Sequence, residues 1–524
     1  MCQQKEKVQY KNKDKYLYTF LSRKVEGLDP MKPWQPTHLG KVPLPSLTLL
    51  EIDKLQIRTS YTFYIKRSSS TCLEERFFVD AHLKKIDFLA FFSIKMEPIL
   101  LNTLEKKNYS MSNKILKLGI FGFGCVGQGL HNVLSKTKGI NATIEKICIK
   151  HPNKKRSLDA AYFTTNPSEI LDNPEIDVVV ELIDDSEAAY HIVKEALTKG
   201  KAVVSANKKL IAEHLEELLF LQSKYETPLL YEGSVCGSIP VIRNLEEYYD
   251  NDLLSSVSGI FNGSTNYILS KMKNEGLDFE VALKEAQDKG FAESDPILDV
   301  GGFDAKYKLC ITLLHAFGLL VRPENILNIG IQNLSDQDVH YATQNHKSIK
   351  LVVHGQKQGQ DISAFVMPTF VSSDNPLTNV HNEFNGILME SAFANQQFFG
   401  GKGAGSDPTG SAVLSDISAL TYGYKYEYKK LHQSTIVTYS TQQLLEVYVR
   451  YQDKNTVQWE DFETISQRFE SKDYNYVIGS VYLEKLLQEE WALNDHISIV
   501  LKSILEGETL DAIDSNNAAA LAAV

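Results

Sequence analysis

Apolar and polar positions follow three successive patterns along this chain. Ile115–Phe121 is almost continuously apolar, the mark of a short buried strand, and Gln128–Leu134 has helical spacing. Thr143–Ile149 and Asp177–Leu182 read as further strands, Ala188–Leu197 as a helix, Ala202–Ser205 as a strand and Leu210–Tyr225 as a long amphipathic helix. Strands and helices taking turns at this spacing predict βαβ units and a parallel sheet. Beyond Pro240 longer helices are interspersed with strands, among them Ser255–Ile260 and Ile349–His354, which predicts an α+β arrangement. A third pattern follows Tyr428: Leu444–Tyr451 alternates as a strand, Trp459–Phe469 has helical spacing, and Tyr476–Leu483 reads as a strand. Residues 111–240, 241–428 and 429–524 are therefore expected as three regions, with no internal repeat among them.

Residues 1–110 fit none of these patterns. They mix aromatics with scattered lysines, and carry prolines between Pro30 and Pro45 and a serine run at Ser68–Ser70. They also reverse the charge of the chain. Here 19 Lys and Arg stand against 12 Asp and Glu, leaving 36 against 54 in the remainder of a chain of net charge −11. Acids in that number argue against a mitochondrial transit peptide. The segment is expected to be a poorly ordered extension, or to precede a natural start at Met111.

The acidic body has no basic stripe, which argues against a nucleic-acid partner. With 43% hydrophobic and 23% charged residues, the 524 residues suffice for three or four globular domains at ~100–200 residues each. The best membrane candidate, Ile86–Leu101, is broken by Asp87 and Lys95 and falls short of the ~18 apolar residues a span needs. Met1–Lys15 is too polar for a secretory signal. The six cysteines lie at least 23 residues apart, so neither a disulfide framework nor a structural zinc site is expected, and a reducing cytoplasm fits best.

The first candidate chemistry is Gly122-Phe-Gly124-Cys-Val-Gly127, placed after a predicted strand and opening a predicted helix. That context makes it a dinucleotide loop of the Rossmann type. Gly122 allows the turn, Gly124 lets the backbone approach a pyrophosphate, and Gly127 lets helix and strand pack. An NAD site usually places an acid at the end of the second strand, but here Lys150 ends it and Lys154, Lys155 and Arg156 follow. Those charges predict NADP(H) over NAD(H), the alternative being a merely solvated basic loop.

Three further segments are more polar than a packed core requires. Val203–Lys209 ends a predicted sheet strand, so Lys208 can reach a ligand crevice while Lys209 faces water. Tyr231–Pro240 offers one carboxylate and several backbone carbonyls, hard oxygen ligands suited to a monovalent cation such as Na+ or K+. In Ala292–Lys308, Glu293, Asp299, Asp304 and Lys308 crowd together, with Asp304 and Lys308 at i,i+4 on one helix face. Taken alone such a pair is an exposed contact worth ~0.3–0.5 kcal/mol. Beside a nucleotide domain it reads as a substrate pocket.

Together these motifs resemble the homoserine dehydrogenase family over residues 111–428. The resemblance is carried by Gly122–Gly127, Pro174–Leu182, Ser205–Lys208, Tyr231–Pro240, Gly259–Tyr267, Glu293–Lys308 and Gly401–Ser406. It implies a Rossmann domain, completed by a segment near 400–428, and an α+β catalytic and dimerisation domain in a homodimer or larger homo-oligomer. It implies NAD(P)-dependent interconversion of L-homoserine and L-aspartate 4-semialdehyde. Matched residue by residue, Lys308, Lys208 and Asp304 are catalytic, and Glu293, Asp299 and Lys208 bind substrate. Gly122, Gly124, Val126, Gly127, Lys150, Lys208 and Gly403 face the cofactor. Glu232, Val235, Gly237 and Ile239 hold the cation, mostly through backbone oxygens.

Some positions depart from the family. Asp184-Asp185 stands where Gly-Gly is usual, Cys236 replaces a glycine and Ser264 a threonine. Relatives often end in an ACT regulatory domain that can bind threonine; the tail is expected to be ACT-like without that function, because Asp453–Gln458 replaces the glycine-rich turn. The 110 residues ahead of Met111 are too few for a kinase partner, so a monofunctional enzyme is expected. Two rival readings are an aspartate-semialdehyde dehydrogenase-type enzyme working through Cys236 and a non-enzymatic NADP-binding sensor.

Overall fold

The computed structural model describes the backbone of residues 5–12 and 15–22 and residues 115–505 apart from 252 and 434. The expectations for residues 23–114, the Met111 start among them, lie outside the described residues. The chain divides into two units, Met1–Tyr109 and Ser110–Val524. In the first, Lys5–Asn12 (β1) pairs antiparallel with Lys15–Ser22 (β2), strands that the sequence pattern does not announce.

In the second unit the βαβ alternation yields a six-stranded parallel sheet. Its strands are Leu116–Phe121 (β3), Ala142–Cys148 (β4), Phe163–Thr164 (β5), Val178–Glu181 (β6), Ala202–Ser205 (β7) and Leu229–Leu230 (β8). Their order, β5-β4-β3-β6-β7-β8, reverses between β3 and β6 and opens a crevice at the carboxyl ends of those two strands. Val178–Val180 are buried in succession because helices cover both faces. Of these helices, Cys125–Lys136 (α1) starts at Gly124, while Ser186–Thr198 (α2) and Lys208–Tyr225 (α3) are capped by the side chains of Asp185 and Asn207.

The following residues build a larger mixed sheet. The half expected from the sequence to be catalytic contains Leu254–Ile260 (β9), Leu327–Asn328 (β10), Lys347–Gln358 (β11), Asp361–Ser372 (β12), Phe384–Ser391 (β13) and Asn395–Lys402 (β14). Against it lie Gly263–Glu275 (α4), the almost wholly buried Phe303–Phe317 (α6) and Asp336–Gln344 (α7), with Phe279–Asp288 (α5) packed on α4. Ser406–Leu420 (α8) then returns to the first sheet and packs on α1. A Cβ at Gly129 would stand 1.9 Å from the Ser406 oxygen, so the two backbones touch.

The tail adds Thr438–Tyr439 (β15), Leu444–Tyr451 (β16), Phe462–Glu470 (β17), Asn475–Tyr482 (β18), Leu483–Gln488 (α9) and Ile497–Ile504 (β19). The expected helix over Trp459–Phe469 is a strand instead, preceded by a short 3-10 turn at Trp459–Asp461. As an edge strand, β17 is exposed on both faces, so the alternation that marks a half-buried strand is missing from its sequence. The tail strands run in the order β19-β16-β18-β17, all antiparallel. This is the order of a split βαβ module whose first helix has been replaced by turns. β19 also pairs with β12 at Leu501 and Thr369, which makes the two halves one sheet. Among the described residues no helix is long and apolar enough to cross a membrane.

Candidate functional site

The crevice is framed by the glycine loop after β3. Gly122 adopts φ +96°, where a Cβ would stand 2.5 Å from the Leu182 oxygen; one at Gly127 would stand 2.6 Å from the Gly122 oxygen. The turn itself demands both glycines. At Gly124 a Cβ would meet nothing within 4 Å, so that space is open to a ligand. Gly124 starts α1 without a side-chain cap, which leaves the first helical amides for an anion. Val126 is half-buried against the core below the loop.

Facing this loop is the basic segment, across a cavity of about 310 Å³ lined by Phe123, Gln128, Lys154, Lys155, Arg156 and Ser157. Arg156 donates to the carbonyls of Lys154 (2.7 Å) and His151 (2.8 Å) and lies over the Phe163 ring. Lys154 and Lys155 are exposed and line the cavity, and among the described residues no carboxylate forms an ion pair with either. Lys150 is exposed too, but outside this lining. The open Gly124, the uncapped helix and the two cations suit a dinucleotide phosphate chain. Asp185, one of the two unusual acids, accepts from the Ala188 amide (3.1 Å) as the cap of α2.

Glu181 ends β6 entirely buried. Its carboxyl accepts from the Ile183 amide (2.7 Å) and the Ser205 hydroxyl (2.6 Å), and Ser205 accepts in turn from the Asn207 amide (3.1 Å). Burial pushes the Glu181 carboxyl up to about 7 against these two hydrogen bonds. The network ties the ends of β6 and β7 together and sets the start of α3, where Lys208 stands.

From there Lys208 reaches into the catalytic half. Its ammonium lies 3.0 Å from Asp304 Oδ1, while the Lys308 ammonium lies 2.7 Å from Asp304 Oδ2. One carboxylate thus holds two lysines from two different helices, α3 and α6. Gly301-Gly302 ends the helical turn Ile297–Val300, and Gly302 at φ +80° starts α6 so that Asp304 and Lys308 face the crevice. Asp304 and Lys308 side chains are 8% exposed, Lys208 45%; the pair is buried, unlike the exposed i,i+4 contact of an isolated helix. Lys308 also donates to the Phe261 carbonyl (2.7 Å). Burial works against the Asp304 charge, but Lys308 and Lys208 overcome it and hold that carboxyl well below the usual range. Asp304, against burial, raises Lys208.

Asn262 completes the cluster, a role no sequence argument had given it. Its Nδ2 donates to Asp299 Oδ1 (2.6 Å) and Asp304 Oδ2 (3.0 Å), while its Oδ1 caps α4 at the Thr265 amide (2.8 Å). An Asn ahead of Gly-Ser-Thr announces a helix cap, not the second use of the same amide. Burial and the neighbouring Asp304 charge raise the Asp299 carboxyl. Glu293 is exposed at the rim, close enough for its charge to act on Lys208.

The loop proposed for a cation uses Glu232 differently from an ionic ligand. The Glu232 carboxylate accepts from the amides of Val241 (2.7 Å), Ile242 (3.0 Å) and Arg243 (2.8 Å), which spends it on the next helical turn. Its own amide is held by Asp416 of α8 (2.9 Å). Gly237 turns at φ +53°, and among the described residues the carbonyls of Val235, Gly237 and Ile239 accept no hydrogen bond. Three free backbone oxygens in one turn fit a hard monovalent ion. Gly403 closes the loop from the other side, its α-carbon against Asn385. Cys236 is fully buried, and burial pushes its thiol up to about 12, so it supplies no thiolate nucleophile.

Residues 122–232 match the homoserine dehydrogenase NAD-binding domain family, and residues 240–418 the homoserine dehydrogenase family. A homoserine dehydrogenase of Bacillus subtilis (strain 168) is 37% identical over 316 residues, 59% of this chain and 73% of that protein. One from Lactococcus lactis subsp. lactis (strain IL1403) is 37% identical over 313 residues, 58% of this chain and 73% of its own. Among solved structures, a homoserine dehydrogenase from Thiobacillus denitrificans aligns with a TM-score of 0.65 and 28% identity, covering 75% of this chain and 98% of the other. A hyperthermophilic archaeal homoserine dehydrogenase in complex with NADPH aligns with a TM-score of 0.51 and 26% identity, covering 59% of this chain and 99% of its own.

Proposed function

The chain belongs to the homoserine dehydrogenase family, NAD(P)-dependent oxidoreductases acting on a CH–OH group, and from that premise we propose how its own residues divide the work. The reaction interconverts L-homoserine and L-aspartate 4-semialdehyde in amino-acid biosynthesis. The observation that carries the proposal is the single Asp304 carboxylate gripping Lys208 and Lys308 where the two sheets meet.

When bound, the nicotinamide cofactor supplies the hydride acceptor. Gly122, Gly124 and the α1 amides take its phosphates, and Lys154 and Lys155 favour NADP(H) by meeting a 2′-phosphate. Lys308, buried and fixed by Asp304 and the Phe261 carbonyl, would take the hydroxyl proton in its neutral amine form while the carbinol hydride leaves for the cofactor and the carbinol becomes a carbonyl. Lys208, raised by Asp304, keeps its charge and stabilises the developing alkoxide. Asp299, oriented by Asn262, and Glu293 at the rim receive the substrate ammonium. Asp304 orients both lysines and leaves substrate binding to the other acids. A Na+ or K+ ion on the carbonyls of Val235, Gly237 and Ile239, with that of Glu232, would fix the loop beside Cys236. A homodimer through the catalytic sheet belongs to the same reading, since the edge strand β14 exposes Phe398 and the turn before it exposes Phe393.

Reduction of NADP by homoserine, followed by NADPH absorbance at alkaline pH, tests the assignment. Lys308→Ala that keeps cofactor binding but loses turnover supports it; near-normal turnover in the folded variant ends it.

A further inference from the structure

A second cavity, of about 190 Å³, lies between the tail and the acid-bearing turn and takes no part in the reaction above. Its tail wall includes Ala492, Leu493, Ile497 and Ser498, and its facing wall Ile297, Gly301 and Phe303. Ser498 is 2% exposed, and its hydroxyl is buried without a hydrogen-bond partner among the described residues. Buried hydroxyls are ordinarily bonded, so an unmet one in the wall of a cavity calls for an occupant. Ile297 is 48% exposed and Leu493 59%, apolar side chains on opposite walls that leave the cavity reachable from solvent.

Chemistry narrows the occupant. Among the described residues no Lys, Arg, His, Asp or Glu lines the cavity, so an ion entering it would lose water and gain no counter-charge. An engineered apolar cavity of ~150 Å³ takes benzene, so roughly six to eight heavy atoms fit here. Branched aliphatic and aromatic walls, with the unmet Ser498 hydroxyl and the neutral amide side chains of Asn328, Gln332 and Asn333 as the polar side chains of the lining, suit an uncharged, branched aliphatic molecule bearing a single carbonyl or hydroxyl group.

The cavity also touches the reacting site through its floor. The Ile331 amide donates to the Val300 carbonyl (2.7 Å), and Asn328 donates to the Gly301 carbonyl (2.7 Å). A Cβ on Gly330 would stand 2.3 Å from the Val300 oxygen, so this wall has no slack. Ile297 and Val300 bound the helical turn that contains Asp299, and Phe303 opens the helix that contains Asp304. An occupant pressing on Ile297, Gly301 and Phe303 therefore braces both acids.

We propose that this cavity is an effector site for a small, uncharged, branched aliphatic amide, ketone or alcohol, and that its occupancy steadies the turn carrying Asp299 and tightens homoserine binding. The coupling rests on the reading of Asp299 as a substrate ligand; the binding does not. The test uses isobutyramide as probe and valine, which has the same branched body with two charges, as control. Binding to the full chain is followed by saturation-transfer NMR, and homoserine kinetics are measured alongside. Saturable binding of isobutyramide but not valine is expected, with KM for homoserine lowered and kcat unchanged. Ser498→Ala should weaken probe binding by ~5-fold or more through loss of one hydrogen bond. Ala492→Phe, which fills the cavity, should abolish it. No saturable binding, equal binding of valine, binding indifferent to Ser498→Ala, or an unchanged KM at saturation each overturns the proposal. Failure of the wild-type enzyme to turn over homoserine would instead overturn the reading of the site, with the binding result still readable.

Discussion

Replacing Glu181 by Gln should make the protein more stable in alkali, although it removes a charge that accepts two hydrogen bonds. Burial lifts this carboxyl from 4.5 to about 7. A group whose folded value lies above its unfolded one favours folding while it is protonated in both states. That contribution is present in full below about pH 4.5 and is lost as pH rises through about 7. At ~1.4 kcal/mol per unit the loss amounts to ~3 kcal/mol. The side-chain amide of the Glu181→Gln variant would mimic the protonated acid at every pH, still accepting from the Ile183 amide and donating to Ser205. The assay is the denaturant midpoint of the wild-type and variant proteins from about pH 5 to about pH 8.5. The wild type should lose ground steadily to Glu181→Gln across that window. A difference between the two that stays flat with pH would refute the account, since it would mean that Glu181 is ionised throughout and held by another charge.

Three further outcomes follow from the site. Lys308→Ala should lower kcat by ~10²–10⁴, the contribution of a positioned proton-transfer group, while NADPH fluorescence titration shows unchanged cofactor affinity. Lys154→Ala combined with Lys155→Ala should raise KM for NADP by ~10-fold or more and leave that for NAD nearly unchanged, whereas Lys150→Ala, outside the cavity lining, should do little; parallel steady-state assays with both cofactors decide it. Gly129→Ala places a methyl where the Ser406 carbonyl stands, and should cost ~1–3 kcal/mol by separating α1 from α8, read as a lowered melting temperature.

The parallel sheet is written plainly in the sequence because strands buried on both faces must be apolar throughout, as Val178–Val180 are. The glycine loop is as legible, since Gly122 and Gly127 answer steric demands of the turn itself. The lysine–carboxylate cluster shows in the spacing of Asp304 and Lys308, but not that Lys208 grips the same carboxylate, a contact made across ninety-six positions of chain. Asn262 escapes for a related reason: its cap is local, and its bonds to Asp299 and Asp304 are not. In the tail, Trp459–Phe469 reads as a helix because an edge strand exposed on both faces has no buried side to imprint a period of two. Cavities leave still less trace, being made of residues that are ordinary one at a time.

The pairing of β19 with β12 has a consequence for how this protein is assembled. The tail shares its interior with the catalytic half: Leu445, Val447 and Val477 of the tail lie in one apolar cluster with Phe365 and Met367 of β12 and with Leu327 and Ile329. Asp338 of α7 binds Tyr448 (3.0 Å) and Arg450 (2.9 Å) across the same seam. Without the tail, the half that contains β12 has a raw strand edge and a patch of uncovered apolar surface until β19 is in place. Such an edge is a template for pairing with another unfinished chain. A chain cut short before Leu444 is therefore expected to aggregate, because that edge and its apolar cluster would stay uncovered.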